Sequence, residues 1–229
     1  NVNYLPALTK QHTYQLAASL YPYATQPNGE WSFQGEISYK IPRKSKIGGK
    51  YGIGIVLNYS EVHGLVNTVN EAGSGYDNTF FEVGGLYFRD INLEISKKFS
   101  KKTKATVKYL NLAYNKDVVQ GLIGYGTIKA NIAIADVTYR VAQKHSLRVE
   151  VQGLWTKDRA DEGDWIMALL EYQWSPHMFV AVLNQWNYGN KEEKKRLLTD
   201  CKTEVGHLKK VQQQKDEQIK KAEENEREK

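Results

Sequence analysis

Cysteine is nearly absent: Cys201 is the only one in 229 residues, which excludes any disulfide within the chain. That suits an exported protein without bridges, and equally a cytosolic one. Proline is scarce too, five residues in all, so few positions are barred from a sheet ladder. No run of about 18 apolar residues occurs, which excludes a transmembrane helix but not a β-barrel, whose strands each carry a weaker signal. An excess of one charge is also missing. The 32 basic and 26 acidic residues leave a net charge of +6 spread over turns and tail, so no nucleic-acid partner is expected.

Motifs for chemistry are missing as well. His12, His63, His145, His177 and His207 lie far apart, without a second ligand at i+4 or a cysteine pair for zinc. Gly52-x-Gly54 and the run Gly121, Gly124, Gly126 have the look of phosphate loops, but no strand–loop–helix context follows either. The loop Asp158–Asp164 gathers Asp158, Asp161, Glu162 and Asp164, the oxygen-rich composition that hard cations take. Its spacing matches no calcium loop and Arg159 opposes a cation, so no metal is expected. No catalytic residue and no cofactor site stands out, and the chain does not read as an enzyme.

What is present is alternation. In Glu30–Ile41 the residues Trp31, Phe33, Gly35, Ile37, Tyr39 and Ile41 fall on one face of a strand. Glu30, Ser32, Gln34, Glu36, Ser38 and Lys40 fall on the other, because successive strand side chains point to opposite faces. Similar ribbons are expected over about 13–23, 50–60, 86–99, 104–115, 129–141, 147–156, 165–174 and 178–188, making nine strands. Rings recur at strand ends, and Tyr51 and Tyr59 bracket Ile53, Ile55 and Leu57, as an apolar band between aromatic girdles does.

The connections sort by parity. Short, mostly lysine-rich ones (43–49, 100–103, 142–146, 175–177) alternate with longer ones (61–79, 116–127, 158–164) that carry more acids. In an up-and-down meander every second connection emerges at the same end, and outer-membrane barrels put short turns at one end and long loops at the other. A Greek-key sandwich has no reason to do so. The expected fold is therefore all-β: an antiparallel up-and-down meander or β-barrel over 1–190, with a charged helix over 191–229.

Several segments, among them GGKYGIGIVLNYS, YFRDINLEISKKF, HSLRVEVQGLWTKD and GDWIMALLEYQWSPHMFVAVLNQWNYGN, resemble a family of uncharacterised outer-membrane-type β proteins from Bacteroidota. The resemblance covers about residues 3–190 and supplies no active or binding position. It implies part of a larger barrel rather than a complete nine-stranded one. The chain starts at Asn1 without a signal-peptide pattern, which fits either a removed leader or an internal portion of a longer protein.

From Lys191 onward the resemblance stops. That stretch has no aromatic and no proline, and a heptad running through Leu198, Cys201, Val205 and Leu208 meets Gln212 and Lys215 in its seam. A charged helix is expected, with a weak coiled-coil option for a protein partner or self-association. Two functional classes remain open. One is a non-enzymatic outer-membrane barrel, acting as pore, anchor or assembly component, with the lipid bilayer against its apolar faces. Glu36, Lys40, Lys108, Arg148 and Glu150 then face a wet lumen. The other is a soluble β-sandwich or barrel that binds glycan or another polymer through exposed rings. Apolar residues on both faces of Ile166–Leu170 and Phe179–Leu183 speak for the second.

Overall fold

A computed structural model describes residues 7–71, 74–156 and 163–189. Eight strands form one sheet in sequence order: β1 (Glu30–Ile41), β2 (Ile53–Val69), β3 (Tyr76–Lys98), β4 (Thr103–Asn115), β5 (Thr127–Arg140), β6 (His145–Thr156), β7 (Trp165–Trp174) and β8 (Met178–Asn187). Every neighbour pair is antiparallel. The up-and-down meander expected from alternation is therefore present. Among the described residues β1 and β8 are free edges, so the sheet is not closed.

The first expected strand is not one. Thr13–Tyr23 instead contains a short helix, α1 (Gln15–Ser19), which buries Leu16 and Ala17. Among the described residues the meander has eight strands, where about nine were expected. The physical reason lies in the burial: Tyr14, Leu16, Ala18 and Leu20 alternate as a strand would, but the adjacent Leu16 and Ala17 are both buried, with Tyr21 just past the helix, which strand alternation does not allow.

The long connection expected over 61–79 is mostly strand. β2 continues to Val69 and β3 begins at Tyr76, with Thr68 opposite Asp77 and register shifts between Val62 and Val66. The strands crowd at those shifts, where a Cβ on Gly84 stands only 2.8 Å from the Gly64 carbonyl oxygen. Glycine is required by that approach. The connection over 116–127 holds a second helix, α2 (Lys116–Gln120), capped by Asn115, whose side chain accepts from the Val118 amide at 3.2 Å.

The two faces of the sheet differ, and they exchange character partway along the strands. Toward the short turns, the outward face is apolar and solvent-exposed: Ile37, Leu57, Ile95, Val107, Val137, Val149, Leu170 and Val182 all stand there. Toward the longer connections it turns polar, with Glu61 opposite Arg89, Arg89 opposite Ala113 and Ala113 opposite Lys129 in one row. The inward face does the reverse. Its upper half is apolar and buried (Val62, Phe88, Leu110, Leu112, Tyr114, Ile128, Ile132, Leu154, Met167), and Leu16, Ala17 and Tyr21 pack onto it. Its lower half carries Glu36, Lys40, Lys104, Thr106, Asp136, Thr138 and Arg148.

β7 is apolar on both faces because Met167 and Leu169 join this core. β8 has no such cover: Phe179 on the inward side and Val182 on the outward side are both more than 60% exposed. The expected charged helix over 191–229 lies outside the described residues.

Candidate functional site

The inward face is crossed by the segment 7–24, and its side chains reach successive strands. Lys10 pairs with Glu36 on β1, and its backbone amide donates to Ser60 Oγ on β2 at 3.3 Å. His12 stands 2.7 Å from Asp90 on β3, and Lys108 Nζ on β4 lies 3.3 Å from the other ring nitrogen. A lysine ammonium only donates, so Nδ1 accepts and Nε2 carries the proton given to Asp90. The hydroxyl of Tyr14 reaches Asp136 on β5 at 3.5 Å, and the Leu16 amide donates to Gln152 Oε1 on β6 at 2.9 Å. The chain then returns, with Tyr23 stacked on Phe88 at 5.1 Å and donating to Glu30 at 2.6 Å.

These contacts satisfy side chains that would otherwise be buried polar groups. Asp90 has no exposure and also accepts from Asn92 at 2.9 Å, while its second oxygen has no partner among the described residues. Burial pushes the Tyr14 hydroxyl up to about 12, with the Asp136 carboxylate adding to it. Tyr23 is raised further, first by burial and then by its hydrogen bond to Glu30.

Beside this segment Arg148 gathers three carboxylates. Its Nε donates to Asp136 at 2.9 Å, Nη1 to Glu171 at 2.9 Å, and Nη2 to Glu150. Glu150 also accepts from Gln152, which continues the network to the Leu16 amide. The planar fork of arginine is the side chain suited to several carboxylates at once.

The five residues expected to face a lumen, Glu36, Lys40, Lys108, Arg148 and Glu150, all stand on the inward face. They do not share one environment. Lys108 and Glu150 are buried, Arg148 is half-buried, and Glu36 and Lys40 are exposed. The expectation of five wet side chains overlooked the segment 7–24, which covers two of them. Lys10, His12, Tyr14 and Asp90, which complete the arrangement, went unnoticed because partners lie far apart in sequence, His12 and Asp90 by 78 residues.

Of the acidic loop, Asp158, Asp161 and Glu162 lie outside the described residues. Asp164 is buried at 7% exposure, and its carboxylate accepts from the Thr156 amide at 3.0 Å, so it closes the β6–β7 end. Among the described residues no group of three or more His, Cys, Asp or Glu side chains is placed to hold a metal ion. The glycine run at 121–126 cradles a carboxylate of its own: Asp117 accepts from the Tyr125 amide at 2.8 Å and the Gly126 amide at 2.9 Å. Those bonds, the Gly126 one foremost, hold its carboxyl below the usual range. His145 stacks on Trp174 with ring centroids 5.8 Å apart and bonds the Tyr172 hydroxyl at 2.6 Å, so it is fixed by its neighbours.

Fold and inward face together define the class: an open antiparallel meander whose polar face is threaded by its own preceding segment. The chain belongs to the DUF6029 family of unknown function, which matches residues 1–205. That match runs past residue 190, where the resemblance read from the sequence ended. No curated protein and no solved structure matches the chain.

Proposed function

We propose that this chain is part of the wall of an outer-membrane β-barrel, a non-enzymatic component serving as pore, anchor or assembly element. One observation carries the reading: the exchange of polarity partway along the strands. A soluble sheet hides its apolar face, whereas here the lower outward face exposes Ile37, Leu57, Val107, Val149 and Val182, with charge on the side turned inward. Above the row Glu61, Arg89, Ala113 and Lys129 the ordinary arrangement returns. That is the profile of strands standing in hydrocarbon below and emerging into water above.

Two details support the same reading. On β6 and β7 the outward apolar runs are about nine residues long, what a tilted strand needs to cross the hydrocarbon core. Rings sit at both margins, Tyr39, Tyr139 and Trp174 toward the short turns and Tyr59, Trp155 and Trp186 toward the other end. Unpaired edges are not tolerated in lipid, so β1 and β8 require further strands beside them. The stretch 191–229 is the candidate contact for a protein partner or for self-association.

A second reading, a soluble module that binds glycan, is favoured by Trp31 and Phe33, stacked at 6.1 Å on an exposed face, and by the uncovered β8. Gel mobility of the detergent-purified chain, unheated against boiled, separates the two. A band that shifts on boiling, from protein that precipitates without detergent, supports the barrel. Full solubility in plain buffer with no shift sinks it and turns attention to Trp31 as a sugar platform.

A further inference from the structure

We propose that the short-turn end of the inward face is a binding basin for multivalent oxyanions of the phosphate type. A cavity of about 480 Å³ opens there, lined by Lys98, Lys102, Lys104, Arg140, Lys144 and His145, and no carboxylate lines it. It shares Lys98 and Lys104 with an adjoining cavity of about 500 Å³ that adds Lys40 and Lys97.

Lys98 and Lys104 face each other directly across β3 and β4. Like charges in that position destabilise a sheet. Six acids of the inward face are already engaged: Glu36 by Lys10, Asp90 by His12, Glu94 by Lys108, and Asp136, Glu150 and Glu171 by Arg148. Lys40, Lys104, Arg140 and Lys144 have no ion-pair partner among the described residues. The contacts of the others are weak, with Lys98 Nζ 5.6 Å over the Tyr51 ring and Lys102 Nζ 3.5 Å from the Val141 carbonyl.

An oxyanion with several oxygens relieves this crowding in one step. The Arg140 fork and the lysine ammonium groups supply charge-assisted hydrogen bonds, and the Thr103, Thr138 and Ser146 hydroxyls, which also line the cavity, add neutral donors. The concave, single-sign lining concentrates the anion before contact. Phosphate in solution and the headgroup phosphate of an anionic lipid present this same chemistry. The basin does not depend on the membrane reading, since it stands on the inward face.

The test is calorimetric titration of the folded full chain with inorganic pyrophosphate, beside co-sedimentation with vesicles of phosphatidylcholine alone or mixed with phosphatidylglycerol. The double variant Lys104→Gln, Arg140→Gln is compared with Lys129→Gln, an exposed outward lysine at the other end of β5. Loss of two charged donors is expected to weaken pyrophosphate binding by at least about tenfold, with Lys129→Gln unchanged. If the double variant instead loses only the preference for phosphatidylglycerol vesicles, the basin holds and the lipid headgroup is its ligand. No binding in either arm, or equal binding by parent and double variant, overturns the proposal. Unchanged circular dichroism of the variants keeps loss of fold out of the comparison.

Discussion

Two parts of the inward face, the stretch under the segment 7–24 and the short-turn end, are built from the same strands and obey opposite rules. Where the segment 7–24 closes over the sheet, charge is admitted only with a partner, as in His12 with Asp90 or Lys108 with Glu94. At the short-turn end Lys98, Lys104 and Arg140 stand exposed, and no carboxylate lines the cavity they share. Burial explains the difference. A charge removed from water is stable only when paired and hydrogen-bonded, whereas a solvated charge tolerates neighbours of its own sign. The contrast teaches where to look for an external ligand: the covered part has supplied its own, and the open part has not.

The covered part is broken most severely at its apolar anchor. Leu16 is fully buried in the core beside β6, and Leu16→Ala is expected to lower stability by about 2–5 kcal/mol. Urea titration reads the loss, and limited proteolysis should then cut within 7–24 before the strands. Equal protease resistance in parent and variant means that the segment does not depend on this contact.

A smaller effect sharpens the comparison between the two parts. Arg148→Met leaves Asp136, Glu150 and Glu171 without their cation, and a loss of about 2–3 kcal/mol is expected. That lies below the range for fully buried pairs because the Arg148 side chain is 31% exposed. Lys104→Gln removes a cation that stands between Lys98 and Thr138, and stability should hold or rise by about 0.2–1 kcal/mol. Matching losses from the two substitutions in the same urea titration erase the distinction drawn here.

The smallest expected effect is local and lies outside the sheet. Asp117 is depressed by the Gly126 and Tyr125 amides, so its support for the 121–126 loop is present above the ordinary carboxylate range. It is lost as pH falls through the depressed value. Amide exchange at Tyr125 and Gly126, corrected for intrinsic rates, should accelerate there in the parent and be fast and pH-independent in Asp117→Asn. Flat protection across acid pH in the parent refutes the role of the carboxylate.

Much of the sheet was legible because a strand exposes its period directly. Trp31 to Ile41 needs no partner to show its two faces, and the turns at 43–49, 100–103 and 175–177 separate strands where their composition says. Two parts were harder to read. The 61–79 stretch looks like a loop because its strands stand above the row where the faces exchange polarity, so a reader tracking the lower alternation loses it. Leu110, Leu112 and Tyr114 on β4 carried the signal, an apolar series on the face that holds Lys104 and Lys108 lower down. The site was less legible. His12, Asp90 and Lys108 have no spacing that names them, and only the path of 7–24 across the strands brings them together.

The sequence by itself determined the strand period, the antiparallel meander and the positive charge of most short turns. These follow from local sterics and alternation, which every residue carries with it. Tertiary structure alone decided that Thr13–Tyr23 is a helix-bearing strap rather than a strand, because the apolar upper half of the face selects Leu16, Ala17 and Tyr21 together. It also decided which lysines are paired and which are left to an outside anion. Pairing depends on distance across the sheet, and distance across the sheet is set by register, not by neighbours in the chain.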